Sequence, residues 1–370
     1  ILYFGLMIDV GLFEPVVRLV IRLAGGDPVK TVVGTAVLAL TVSLDGDGST
    51  TYLIVTAAML PLYQRLGLSR LVLASVVMQA GGIMNILPWG GPTARAAAAL
   101  KLDMGELFVP MIPAMAAGAA WVVFVSWRLG LRERVRLGSR ASPVVEDAPT
   151  LVSGQEEAAA ARRPQLFWFN LVLTLALMAA LVAGLFPLPI LFMCACALAL
   201  AVNYPKLAEQ RDRVAAHAGN ALAVAGVIFA AGIFTGILSG TKMIDAMALS
   251  VVSLVPESLG PYMAVITGML SVPFTFFISN DAFYYGVVPI LAEAASHFGI
   301  SAVEIGRASL VGQPVHLLSP LVPSTYLLVG LCGVELGDHQ KFTLKWTLGS
   351  AAVLLGVCLL TAVVPLFGGS

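Results

Sequence analysis

Residues 43 to 51 read Ser43-Leu44-Asp45-Gly46-Asp47-Gly48-Ser49-Thr50-Thr51, a turn-forming acidic stretch held between two apolar runs. The run before it, Thr31 to Leu44, is 14 residues long. As helix that is about 21 Å, short of a bilayer core about 30 Å thick. The run after it returns to about Gln64. Two short helices joined by a polar turn describe a hairpin that enters and leaves a membrane by one face, with Ser49, Thr50 and two carboxylates at its tip. The competing reading makes Asp45 and Asp47 helix caps in an exposed loop. Against it, the flanking runs are too short to carry that loop across to water.

Composition supplies the lipid. Of 370 residues 59% are hydrophobic before 36 glycines are added, with 21 basic and 21 acidic residues. Soluble domains run at about a quarter charged, so the chain reads as an all-α integral membrane protein. A formal net charge of zero removes the electrostatic case for nucleic acid. Arg128, Arg132, Arg134, Arg136 and Arg140, then Arg162 and Arg163, flank the segment 131–163. The positive-inside rule makes this a cytoplasmic linker, and its Ala, Ser, Glu and Pro content makes it mobile. Spans are expected at about 105–128, 165–185, 188–203 and 214–240. No clear return span is expected within 241–260, and a last one at 346–366 follows Lys341 and Lys345. Cys194, Cys196, Cys332 and Cys358 all lie in apolar runs, where they pack as small hydrophobes; a soft-metal pair at Cys194-x-Cys196 lacks two further ligands. The opening Ile1-Leu2-Tyr3-Phe4 carries no initiator Met, and the chain is expected to start partway through a longer protein.

The second half repeats the pattern. Thr267 to Ile278, a Ser279-Asn280-Asp281 tip and Ala282 to about Ala295 form a counterpart hairpin, expected to open to the exterior. Each hairpin precedes an interrupted helix. The two align at a constant offset of 232, with Gly67 on Gly299, Ser69 on Ser301, Pro88 on Pro320 and Thr93 on Thr325. Hairpin then broken helix, twice and in opposite orientation, is the inverted repeat of a secondary transporter. The expected division is a first repeat at 1–130 (hairpin about 31–64, broken helix about 67–100), the linker at 131–163, and a second repeat at 164–370 (hairpin about 262–295, broken helix about 300–332).

Irregular backbone at membrane depth is tolerated only where protein or a water-filled cavity surrounds it, so two tips and two breaks mark a site. Each charge at the bilayer centre costs about 3 kcal/mol, so Asp45, Asp47 and Asp281 would cost roughly 9 together. In the first break, running from Gly81 through Asn85 to Thr93, two prolines remove donors, and glycines including Gly90 and Gly91 release the backbone. Close helix packing at those glycines is the other reading. Free carbonyl and N–H groups then lie beside Thr93 and Arg95, near the positive end of a half-helix. For Arg95 two readings stand, a carboxylate clamp or a side chain snorkelling to the surface. The partner break offers Gln313, His316, Ser319 and Ser324, with His316 either a proton relay or a hydrogen-bonded structural histidine. His217, His297 and His339 carry no signal. Three carboxylates around one arginine suit an anion arriving with cations, either protons or a bound divalent metal. Such a metal would leave a trivalent anion with one net negative charge.

Phe4 to Asp9, Ser43 to Thr51, Leu87 to Ala96, Ile278 to Phe283 and Gly312 to Thr325 closely resemble the bacterial citrate–divalent metal:proton symporters of the ion transporter superfamily. The resemblance covers the chain apart from the linker. It implies a multi-pass protein of the bacterial cytoplasmic membrane, commonly a homodimer with scaffold and transport domains, moving by alternating access of elevator type. The implied cargo is citrate complexed with a magnesium-like or calcium-like cation, driven by protons, with no prosthetic group. Asp45, Asp47 and Asp281 would then handle cation or proton, and Arg95, Ser49, Asn280 and Thr93 the citrate. Family members are longer at the N-terminus. Ser279-Asn280-Asp281 ends in an acid where related sodium-coupled carriers have Ser-Asn-Thr, which weakens a sodium reading. The alternatives are a sodium- or proton-coupled carrier of free di- or tricarboxylates, a passive channel, and an intramembrane enzyme using Ser239 or His316. No nucleophile–base motif supports the last.

Overall fold

The computed structural model describes residues 2–46, 48–138, 161–254 and 256–368. Asp47, Arg140 and the linker's centre, 139–160, lie outside the described residues, and with them the expectations placed there. Among the described residues every regular element is helical. The first part runs α1 (Leu2–Asp9), α2 (Glu14–Ala24), α3 (Pro28–Val42), α4 (Gly48–Leu66), α5 (Arg70–Met84), α6 (Gly91–Leu100), α7 (Met104–Phe108) and α8 (Ile112–Leu137). The second runs α9 (Phe167–Val182), α10 (Leu188–Asn203), α11 (Leu207–Gly240), α12 (Met243–Leu254) and α13 (Met263–Phe277), then α14 (Val288–Ser296), α15 (Ala302–Ser309), α16 (Gln313–His316), α17 (Pro323–Cys332) and α18 (Leu336–Leu360).

Local chemistry sets these boundaries. Asp27 caps α3, its Oδ1 accepting from the amides of Val29 at 2.7 Å and Lys30 at 3.1 Å, with Pro28 at the first helical position. A turn of 3-10 helix, Ser43–Asp45, then ends at Gly46, whose φ of 76° reverses the chain into α4. Ser301 and Glu304 form a capping box that starts α15. Pro92 and Pro323 sit in the first turns of α6 and α17, where a missing N–H costs nothing.

The order helix–turn–helix, interrupted helix, long helix thus occurs twice: α3–α4, α5–α6 and α8, then α13–α14, α15–α16–α17 and α18. The interrupted helices pack directly together. A Cβ on Gly82 of α5 would come within 2.9 Å of the Pro314 Cα of α16, so glycine permits the crossing. Around it α3 packs on α5 and α8, and α18 on α8 and α5, while α4 packs on α3, α5 and α17 and buries its Tyr52, Met59 and Tyr63. Outward apolar side chains remain, among them Phe229 at 77% and Leu222 at 70% exposure, as expected when the outer solvent is lipid. By length and composition five described helices can cross a membrane, or six if the bent pair Ile228–Gly240 and Met243–Ser253 counts as one.

Three boundaries differ from the sequence reading. The long helix α8 continues to Leu137, seven residues into the stretch read as linker, because Arg136 pairs with Glu133 at 2.6 Å and Arg134 with Asp27 at 2.5 Å. The region 241–260 holds a helix, α12, after a 70° bend. The last helix begins at Leu336, so Lys341 and Lys345 lie on it instead of in a loop; hydropathy could not see the start because polar residues occupy its first turns.

Candidate functional site

The two turns and two breaks meet at one cavity of about 540 Å³. Helices begin on its wall at three places: α4 at Gly48 and Ser49, α6 at Gly91 and Pro92, and α17 at Pro323 and Ser324. The fourth wall is the tip Ser279-Asn280-Asp281, where Ser279 Oγ accepts the N–H of Ala282 at 3.1 Å and opens the wide turn Ala282–Val287. Helix N-termini carry a partial positive charge, so the wall favours an anion. Helix ends also reach it, at Ser43, Asn85 and His316, where the Ser43 and His316 carbonyls accept the amides of Gly46 at 3.1 Å and Ser319 at 2.8 Å.

Among the described residues one charged pair lies on the wall. Arg95 Nε donates to Asp281 Oδ1 at 2.6 Å, joining the first broken helix to the second turn. Asp281 is half exposed to the cavity side, so the pair is wet enough to exchange partners. A Cβ on Gly91 would stand 2.5 Å from Arg95 Nη1; glycine there lets the guanidinium fold back over the start of α6.

Behind the wall Gln313 organises the amides. Its Oε1 accepts from Asn85 Nδ2 at 3.2 Å and Asn280 Nδ2 at 3.4 Å, and its Nε2 donates to Asn280 Oδ1 at 3.2 Å and to the Tyr284 hydroxyl at 2.8 Å. Tyr284 in turn donates to the Ser309 carbonyl at 3.2 Å. Holding Asn85 by its Nδ2 leaves its Oδ1 as an acceptor on a cavity-lining residue. His316 Nδ1 lies 2.7 Å from the Thr275 carbonyl, which can only accept, so the proton sits on Nδ1 and Nε2 is the acceptor in the neutral ring.

Trp89 builds the side nearest α1. Its Nε1 donates to the Leu44 carbonyl at 2.8 Å, and its ring stacks on Phe4 at 5.0 Å and meets Phe192 of α10 edge-on at 5.2 Å. The first turn is thereby fastened to α1 and α10.

Of the residues singled out in the sequence, Ser49, Asn85, Gly91, Arg95, Ser279, Asn280, Asp281, His316 and Ser324 line the cavity. Gln313 stands one shell behind, as described. Thr93 is fully buried and its hydroxyl donates to the Ile86 carbonyl at 2.7 Å, closing the break. Ser319 does the like, donating to the Phe276 carbonyl at 2.7 Å. Thr50, Gly90 and Asp45 are off the lining; Asp45 is buried, and its Oδ1 accepts from Thr51 Oγ1 at 3.4 Å. Among the described residues no three His, Cys, Asp or Glu side chains converge as a metal site. Ser43, Thr51 and Trp89 also line the cavity; they belong to the same motifs but carry no charge to draw attention. Leu317, Leu321 and Val322 form an apolar wall that a search for polar residues passes over.

A family model described as citrate transporter matches residues 1–312. A citrate transporter of Bacillus subtilis (strain 168) is 62% identical, over 98% of this chain and 84% of its own length. From the same organism, a protein named Mg(2+)/citrate complex secondary transporter is 52% identical, over 99% of this chain and 84% of its own. The fold is shared with the solved YdaH transporter of Alcanivorax borkumensis (TM-score 0.62, 17% identity, 98% of this chain and 84% of that one). It is shared also with MtrF of Neisseria gonorrhoeae (TM-score 0.60, 11% identity, 100% and 82%).

Proposed function

From a chain that belongs to the citrate transporter family, and is thus a multi-pass transporter and not an enzyme, we propose import of citrate complexed with a divalent cation, coupled to protons. The observation that carries this reading is the double character of the cavity, where three helix starts and Arg95 line the same space as the acceptors of Asp281 and Asn85. A bare trianion would call for several cations, whereas a complex with one net negative charge matches, among the described residues of the wall, one arginine beside one acid. One relative's name, which specifies the magnesium complex, agrees.

In this mechanism Arg95 and the N–H groups at Ser49, Gly91 and Ser324 hold citrate carboxylates. The Asn85 Oδ1 meets the cation that citrate brings, which citrate itself mostly ligates. Asp281 and the incoming carboxylate compete for one guanidinium. A proton on Asp281 ends its claim on Arg95 and so favours loading, which couples the two fluxes. Asp45 and Asp47 are assigned to cation or proton handling at the first tip. The turns α3–α4 and α13–α14 act as re-entrant hairpins of an inverted repeat in the cytoplasmic membrane of a homodimer, moving against a scaffold by alternating access.

Labelled citrate uptake into proteoliposomes is expected to need both a divalent ion and an inward proton gradient; vigorous uptake in chelator with no gradient defeats the reading. A second reading is carriage of free di- or tricarboxylates, coupled to sodium or protons. Replacing divalent ions by sodium in that assay separates the two.

A further inference from the structure

The helices α8 and α18 run antiparallel, since Cys358 meets Met111 near one end and Trp121 Nε1 donates to the Trp346 carbonyl nearer the other. The C-terminal half of α8, where arginines accumulate, therefore lies beside the first turns of α18. There two cations share one indole: Arg132 Cζ lies 5.5 Å and Lys345 Nζ 5.3 Å from the centroid of the Trp346 ring. Arg128 and Lys341, one turn along each helix, add two more exposed bases. Among the described residues none of these four forms an ion pair. The acids in the neighbourhood do not neutralise them. Glu133 of α8 is held by Arg136 and by the Ser69 N–H at 2.8 Å, while Asp338 and Glu335 stand nearer the start of α18 without an ion pair.

Deeper along the seam the surface changes character. Trp121, Phe124 and Trp127 make a continuous run of rings at 5.6 and 6.0 Å, and Phe124 and Trp127 are each 44% exposed. Leu344 and Leu348 are exposed beside them at 40% and 43%. Unpaired bases beside exposed aromatic rings and exposed aliphatic side chains match an amphiphile with an acidic head and hydrocarbon chains. Like charges gathered on one ring gain little from the indole at an exposed position, so the arrangement is best completed by an anion from outside. We propose that the α8–α18 seam binds the phosphate headgroup of an anionic phospholipid between Arg132 and Lys345, with its chains along Phe124, Leu344 and Leu348.

The test uses the full chain in detergent, titrated with phosphatidylglycerol or with phosphatidylcholine and followed by native mass spectrometry. Wild type is expected to retain the anionic lipid over the zwitterionic one. The double variant Arg132→Gln, Lys345→Gln is expected to bind phosphatidylglycerol about 20-fold more weakly, from roughly one decade or less per lost cation. Arg132→Lys with Lys345→Arg keeps both charges and is expected to keep the preference, which separates lost binding from lost folding. Equal retention of the two lipids by wild type overturns the proposal, as does an undiminished preference in the double Gln variant. A change of oligomeric mass in that variant with lipid preference intact also overturns it, by making the seam a contact between copies. Saturation of the site by glycerol phosphate without chains would remove the lipid from it.

Discussion

Arg95 Nε donates to Asp281 Oδ1 at 2.6 Å, and the bond closes a span of 186 positions in the chain. It is the direct polar tie between the first broken helix and the second turn on the cavity wall. Arg95→Gln strands Asp281 and removes the cation offered to citrate; removing one partner of such a pair costs about 2 kcal/mol when partly wet, so uptake should fall about 30-fold. Asp281→Asn should leave citrate binding measurable but make uptake indifferent to the proton gradient. Retained gradient dependence in Asp281→Asn, read by uptake at fixed membrane potential, removes Asp281 from the coupling.

Gly46 adopts a φ of 76° and a Cβ there would lie 2.7 Å from Trp89 Cδ1. Gly46→Ala should therefore destabilise the first turn by roughly 1–2 kcal/mol from backbone strain, before the clash is counted. Trp89→Phe, which keeps the ring stack but loses the bond to the Leu44 carbonyl, should cost about 1 kcal/mol. Thermal unfolding in detergent checks both, and a Gly46→Ala protein as stable as wild type would mean the turn can rearrange.

Gln313 meets Asn85, Asn280 and Tyr284 through one amide. Replacing it with Leu leaves those buried polar groups short of partners, at about 1–3 kcal/mol. The expected signature is a raised KM for citrate with the maximal rate less affected, since Asn85 and Asn280 lose their orientation while Arg95 stays. An unchanged KM contradicts a positioning role.

Asp27 lies outside the spans, at the start of α3. Burial raises its pKa, but the amides of Lys30 and Val29 and the Arg134 guanidinium outweigh this and hold it below the usual carboxylate value. The folded state thus favours the ionised form. That contribution is complete above the unfolded pKa of about 3.9 and is lost as pH falls through the lower folded value. Asp27→Asn keeps a capping side chain, so its melting temperature should match wild type's more closely at pH 3 than at pH 7. A constant difference between those pH values would show that the charge contributes nothing.

Much of this was legible in the residues. Gly46, the prolines of the two breaks and the short apolar runs locate the turns, because a helix is interrupted where glycine frees the backbone or proline removes a donor. Thr93 donates to the Ile86 carbonyl and Thr325 to the Leu317 carbonyl, each closing the break before its own half-helix. That function also explains why Thr93, chosen from the sequence as a ligand, is turned away from the cavity; a hydroxyl beside freed carbonyls is pulled to the nearer acceptor. Ser319 follows the same rule at Phe276.

The sequence by itself determined the class of the protein, the positions of its turns and breaks, and the shortlist of polar residues, since transfer into hydrocarbon penalises each of these locally. Which of them share one space was decided by the tertiary structure. The pairing of Arg95 with Asp281, the fourfold bonding of Gln313 and the anchoring of Trp89 on Phe4 and Phe192 each join segments far apart in the chain. Such contacts depend on how rigid helices cross, as at Gly82 against Pro314, and no local property of either segment encodes the partner it meets.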